Sequence, residues 1–220
     1  MQTILKFLKD IDENNNREWF EQNKNNYLEA KQRFESYVNI LIPQIKDIDS
    51  SIDVMSAKDC TFRIYKDVRF SKDKNPYKNN MGAYFAHGGK KGGFAGYYLH
   101  IEPNNCFVGG GLYMPEPLIL NAVRTDIYEN IEQFESIINN SEFLKIYPEI
   151  KGEKLKTAPK GFPKDFPQIE LLKYKSYTVF KSFSEKEIIA DNFFENVLNN
   201  FEIQKPFNDF INEPILNLKN

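Results

Sequence analysis

Tyr98-Leu99-His100-Ile101-Glu102-Pro103-Asn104-Asn105-Cys106-Phe107-Val108-Gly109 is the stretch whose reading decides the fold. Pro103-Asn104 supplies a tight turn between two short runs of strand-forming residues. Ile101 then faces Cys106, Leu99 faces Val108, His100 faces Phe107 and Tyr98 faces Gly109. In that register Leu99, Ile101, Cys106 and Val108 fall on one apolar face. The opposite face carries Tyr98, His100 and Glu102 above Gly109 and Gly111. Slipping the pairing by one residue would mix the two sets, so the pattern specifies a hairpin with one packed face and one polar face.

Outward from this hairpin, Cys60 to Lys66, Met81 to His87 and Phe94 to Glu102 read as further antiparallel strand, with Asn105 to Tyr113 as the return strand and Ser176 to Phe183 as a late one. The flanks read as helix. Asn15 with Glu18 resembles a capping box opening a helix from Arg17 to Ile42, which Pro43 ends or bends. Pro115-Glu116-Pro117 starts another helix and Ile131 to Asn140 a further one. Lys156 to Phe166 is a Pro/Gly/Lys loop, after which Asp165 with Gln168 leads into Ile169 to Lys173. Ser184 with Glu187 is a capping box for a helix continuing through Leu198. The expected fold is α+β: a central, mainly antiparallel sheet over about residues 60–113 with a late strand near 176–183, packed by N-terminal and C-terminal helices. One domain spanning residues 1–220 is expected.

Composition narrows the class. The chain is 41% hydrophobic and 27% charged with a formal net charge of -2, which fits a globular protein and argues against a general nucleic-acid coat. Cys60 and Cys106 fit no zinc spacing and are too few for a disulfide framework, so free buried thiols in the cytoplasm are expected. No apolar run is long enough to span a bilayer, and no membrane partner is expected. No cofactor or metal motif stands out.

Chemistry is carried by the charged segment 61–78. It holds Arg63, Lys66, Arg69, Lys72, Lys74 and Lys78 against Asp67 and Asp73. Strand alternation would put Phe62 and Ile64 inward and Arg63 outward, where a guanidinium suits bidentate contact with phosphate or carboxylate. A solvated strand end with surface salt bridges is the competing reading. His100 and Glu102, two apart on a strand, would share a face with Cα atoms about 6.5–7 Å apart. That spacing allows an acid–base pair, or a structurally bonded histidine. Gly88-Gly89-Lys90-Lys91-Gly92-Gly93 is a hairpin tip without the phosphate-loop pattern. Arg124 and Lys160 would add positive charge if the fold brought them in.

The run Phe62-Arg63-Ile64-Tyr65-Lys66-Asp67-Val68-Arg69-Phe70-Ser71-Lys72-Asp73-Lys74-Asn75-Pro76-Tyr77-Lys78 resembles the signature of a conserved bacterial and fungal family of unknown function. Tyr98 to Pro103, Gly109 to Gly111 with Pro115-Glu116-Pro117, and Ala158 to Phe162 share the likeness, which covers nearly the whole chain. Lys66 departs from the arginine of that signature, keeping charge but losing bidentate geometry. The resemblance implies one intact domain and a shared site containing Arg63, Arg69, Lys72, Lys78, His100, Glu102 and Lys160. It implies no reaction.

Three functions follow as expectations. The first is binding of a small phosphate- or carboxylate-bearing ligand by Arg63, with Arg69, Lys72 and Lys78 at the rim and Tyr98 and His100 on the floor. The second is an enzyme acting on a phosphate ester, with His100 as acid–base and Glu102 as its partner. The third is an interaction module docking an acidic protein or a nucleic acid on its basic edge, which requires a flat surface.

Overall fold

The computed structural model describes residues 1–69 and 74–219. Its centre is a four-stranded antiparallel sheet in the order β1 (Met81–Phe85), β2 (Gly96–Ile101), β3 (Cys106–Leu112) and β4 (Tyr177–Phe183). The hairpin pairs as the side-chain alternation requires, with Tyr98 opposite Gly109, Leu99 opposite Val108 and His100 opposite Phe107. At its turn the Asn105 amide donates to the Glu102 carbonyl at 3.1 Å. Asn104 takes the positive φ of 60° that a tight turn demands and that asparagine tolerates better than most residues.

Helices cover one face of this sheet. α1 (Gln2–Glu13), α2 (Arg17–Gln22), α3 (Lys24–Ile48) and the short α4 (Ala57–Cys60) precede it. α5 (Pro117–Glu129), α6 (Ile131–Ile138), α7 (Ser141–Ile146) and α8 (Ile169–Leu172) lie between β3 and β4. α9 (Glu185–Ile188) and the long α10 (Phe193–Lys219) close the chain. Phe201 of α10 meets Phe85 and Tyr97, with ring centroids 6.3 and 5.0 Å apart, which fixes that helix on the Leu99–Val108 face. The buried apolar residues form two clusters along this face, one with α1 and α3 and one with α5 to α8. No helix among the described residues is long and apolar enough to cross a membrane.

Local sequence explains most boundaries and corrects several expectations. Ser184 and Glu187 do form a reciprocal capping box, but α9 stops at Ile188 and α10 begins afresh at Phe193. The helix expected from Arg17 is two helices that break at Asn23, and the second runs through Pro43 to Ile48. Asn16, not Asn15, caps α2, accepting from the Trp19 amide at 2.9 Å. The expected first strand, Cys60 to Lys66, is the largest difference. Cys60 ends α4, Thr61 makes a single bridge to Ala83, and the chain then leaves the sheet. Once off the sheet, the period-two alternation no longer applies. Ile64 is buried, whereas Phe62 stays 45% exposed on the polar face instead of entering the core.

Candidate functional site

The polar face of the sheet opens into a cleft at the end where His100 pairs with Gly82. One wall is the chain leading into β1, with Asn75, Tyr77, Lys78, Asn79 and Asn80. The other is the end of α1 and the corner after it, with Asp12 and Asn15. Tyr98 and His100 are its floor, Lys66 also lines it, and its volume is about 430 Å³. The walls are tied by side-chain amides. Asn15 clasps the Tyr77 peptide, its Nδ2 donating to the carbonyl at 3.0 Å and its Oδ1 accepting from the amide at 3.1 Å. Asn79 donates to Asp12 at 3.0 Å. Behind this wall the Tyr77 ring stacks on Phe20 at 4.0 Å, anchoring the segment to the core.

On the floor, three side chains form one hydrogen-bonded row. Tyr98 Oη lies 3.0 Å from His100 Nδ1, and His100 Nε2 lies 3.0 Å from Glu102 Oε2. Glu102 also accepts from Asn105 Nδ2 at 2.6 Å. Because an ionised carboxylate only accepts, Nε2 carries the imidazole hydrogen, Nδ1 is left as an acceptor, and Tyr98 donates to it. The ring is further held by Phe107, stacked at 4.5 Å with a 16° interplanar angle. Burial lowers the His100 pKa and the Lys78 charge lowers it further, against the opposing pull of Glu102, so the ring is neutral at pH 7. Burial and the nearby Glu102 push Tyr98 up to about 12, which keeps its phenol protonated.

This order of donors matches the carboxylate–imidazole–hydroxyl sequence of a catalytic triad, with a phenol in the hydroxyl's place. Both imidazole nitrogens are engaged, so Tyr98 is the member of the row that meets a ligand, through a phenol oxygen whose proton His100 Nδ1 is placed to take. Gly82 makes the row possible: a Cβ there would fall 2.3 Å from Tyr98 Oη. Gly109 does something different. A Cβ there would meet the Val179 carbonyl at 2.0 Å, so its missing side chain is filled by β4 and leaves no ligand space.

With Lys66, Lys78 is one of two cations lining the cleft. It is half-buried, makes no ion pair among the described residues, and has its pKa lowered by burial and then by the neighbouring Arg63. Its ammonium sits 5.7 Å from the centroid of the Phe62 ring. Phe62 in turn meets Tyr98 in a perpendicular contact at 6.2 Å. Lys90, from the 3-10 turn Gly89–Lys91, lies 5.7 Å from the same ring and is held by the carbonyls of Lys58 and Thr61.

The other expected site residues scatter. Arg63 is exposed near Lys78 but is neither on a strand nor in the wall of the cleft. Arg69 is exposed and forks Asp67, with Nε and Nη2 at 3.0 and 2.7 Å from its oxygens. Lys72 lies outside the described residues. Arg124 is buried on α5, where Nη2 donates to the Tyr174 carbonyl at 2.7 Å, within the cluster built by α5 to α8. Lys160 is exposed on the loop whose Phe162 and Phe166 pack against Tyr128 of α5. His100, Tyr98 and Lys78 are thus brought together in one cleft with Glu102 behind them, and Arg124 and Lys160 lie elsewhere. The amide wall, Asn15, Asn79 and Asn80, went unread in the sequence. Asn79-Asn80 directly follows the cationic run and was a usable signal; Asp12 and Asn15 arrive from the end of α1 and the corner after it, far off in sequence, and carried none.

Among the described residues no three of His, Cys, Asp and Glu converge as metal ligands. Both cysteines are buried free thiols, with Cys60 pushed up to about 12 by burial. No curated protein and no solved structure matches the chain. A sequence model of the family described as "Conserved hypothetical protein (DUF2461)" matches residues 3–210, and the chain is a member of that family.

Proposed function

We propose that this chain binds a small anionic ligand, phosphate- or carboxylate-bearing, in the cleft over Tyr98 and His100. One observation carries the reading: Lys78 is a half-buried ammonium of the cleft whose pKa is lowered by burial and then by another cation, Arg63, and no carboxylate among the described residues forms an ion pair with it. Desolvating a cation beside a like charge is unfavourable, and an anion seated between them reverses the sign of that interaction. The amide side chains of Asn79 and Asn80 add neutral donors. Concavity supports a small ligand over a flat docking edge. The cytoplasm is the proposed compartment, on the strength of two free thiols that a reducing environment preserves.

A thermal-shift panel of inorganic phosphate, sugar phosphates and organic acids tests the reading on wild type and Lys78→Met. At about a hundred times Kd, a ligand that binds only the folded chain stabilises it by about 2.7 kcal/mol, a shift of several degrees. Wild type should respond and Lys78→Met should not. Equal responses from the two proteins, or none from wild type, would sink it.

A second reading, an enzyme acting on a phosphate ester, is favoured by the Tyr98–His100–Glu102 row. In that reading the Tyr98 phenol oxygen attacks phosphorus as its proton passes to His100 Nδ1, and Glu102 steadies the imidazolium. His100 returns that proton to the departing alcohol oxygen, after which water releases the phosphate from Tyr98. Turnover of p-nitrophenyl phosphate that fails in Tyr98→Phe would support it. Binding without turnover would leave the cleft a receptor.

A further inference from the structure

The anion reading leaves most of the cleft unaccounted for. A volume of about 430 Å³ lies within the range of about 300–1,000 Å³ for sites that take whole small molecules, and a bare phosphate or acetate fills little of it. Beside Lys78, next to the cleft rather than in its lining, stands an aromatic corner with surface to spare. Phe62 is 45% exposed although it touches Tyr98, and its ring stands 5.7 Å from each of two ammonium groups, Lys78 and Lys90. Tyr65, 48% exposed, stands next to Tyr77 at the other end of the same wall, with ring centroids 5.6 Å apart. The exposed part of the Phe62 ring, beside a half-buried cation, is apolar surface that an aromatic ligand would cover.

We infer that the ligand is an organic anion with a planar aromatic body, its acidic group on Lys78 and its ring against Phe62. This rests on the proposed anion site and adds the identity of the remainder of the ligand. The backbone supports it, because Phe62 is fixed at the point where the chain leaves the sheet: its amide donates to the Gly82 carbonyl at 3.2 Å, beneath the Tyr98 ring. A ring placed there would meet the Lys78 and Lys90 ammonium groups that already lie over the Phe62 ring, an arrangement that favours an electron-rich π face. Adenosine 5′-monophosphate and benzoate each fit the chemistry, one as a phosphate and one as a carboxylate.

Titration calorimetry separates ring from acid. Adenosine 5′-monophosphate is compared with ribose 5-phosphate and inorganic phosphate, and benzoate with acetate, on wild type, Phe62→Ala, Phe62→Trp and Lys78→Met. In at least one pair the ringed compound should bind on the order of tenfold tighter to wild type. Phe62→Ala should erase that gain while leaving the ringless anion unchanged, and Phe62→Trp should restore it. A ringed compound that binds no tighter than its ringless partner, or a gain that survives Phe62→Ala, overturns the inference and leaves the anion site standing. Loss of every anion in Lys78→Met is expected either way. If no anion binds wild type, the anion site itself falls, and the inference falls with it.

Discussion

The two faces of the sheet are built from the same four strands and differ at every step along them. Under the helices, Leu99, Val108 and Val179 are fully buried and carry no polar side-chain atom. One residue along, Tyr98, Phe107 and Phe180 remain partly open, and Tyr98 and His100 spend their polar atoms on each other and on Glu102. The difference follows from what covers each face. Helices exclude water, so polar groups there must find partners within the fold, as the Tyr97 hydroxyl does in donating to Asp49 at 2.9 Å, or be absent. The described residues between Thr61 and β1, 61–69 and 74–80, cover incompletely and leave a cleft whose polar atoms are arranged in a row. Stability therefore resides on the first face and chemistry on the second.

The largest effects should come from testing that division directly. Leu99→Ala removes a fully buried side chain in the middle of the sheet and should lower stability by about 2–5 kcal/mol. That is a fall in melting temperature of roughly 4–20 °C for a chain of this size. Tyr98→Phe, its neighbour on the other face, keeps the ring and loses one hydrogen bond, for about 0.5–1.5 kcal/mol. Chemical denaturation of the two variants measures both. Comparable losses would show that the polar face is a second core.

The glycines sharpen the same contrast. Gly109→Ala drives a Cβ to 2.0 Å from a backbone carbonyl of β4, which can yield only by separating strands. About 1–3 kcal/mol or more should be lost. Gly82→Ala collides at 2.3 Å with the tip of Tyr98, a side chain free to swing toward the cleft. Its stability loss should be the smaller of the two. The Tyr98–His100 bond should nevertheless break, and a changed imidazole titration by NMR would report it.

What the sequence made legible was whatever repeats with a short period. The register Leu99–Val108 followed from the Pro103-Asn104 turn and the side-chain alternation on either side of it, and the capping box at Ser184 from two side chains three apart. His100 and Glu102 were placed together for the same reason. Phe62 and Arg63 were misplaced because alternation was extended past Thr61, where pairing to the sheet ends. No local pattern announces that a chain has left its sheet. The cleft itself was illegible, since Asn15 reaches Tyr77 across 62 positions of sequence. Charge was a poor guide to assembly: of the cations singled out, Arg124 is buried under a different part of the fold and Arg69 is already engaged by Asp67.

A smaller effect should appear in acid. The folded His100 resists protonation because it is buried and faces Lys78, while Glu102 only partly compensates and the Tyr98 hydroxyl is neutral. Above the ordinary histidine pKa of about 6.5 the ring is neutral in both folded and unfolded chains and contributes nothing to the pH dependence. As pH falls through that value the unfolded chain takes up a proton that the folded chain refuses, so stability declines. Urea midpoints between pH 8 and pH 5 should fall more steeply for wild type than for His100→Gln. Equal slopes would mean that the ring is solvated after all.

The smallest effect is expected at the cation that the sequence made most conspicuous beside Arg63. Arg69 holds both oxygens of Asp67, and its side chain is 75% exposed. Exposed pairs of this kind are screened by water and contribute little to folding, so Arg69→Ala should leave the melting temperature where it is. Its effect on anion binding should be equally slight. A ligand carboxylate or phosphate reaching Arg69 would have to displace one carboxylate with another group of like charge, with little net gain in pairing. Anion affinity in Arg69→Ala should stay within about twofold of wild type, against its loss in Lys78→Met. If calorimetry gave the opposite order, the binding site would belong to the motif's outer loop, and the polar face of the sheet would be only its foundation.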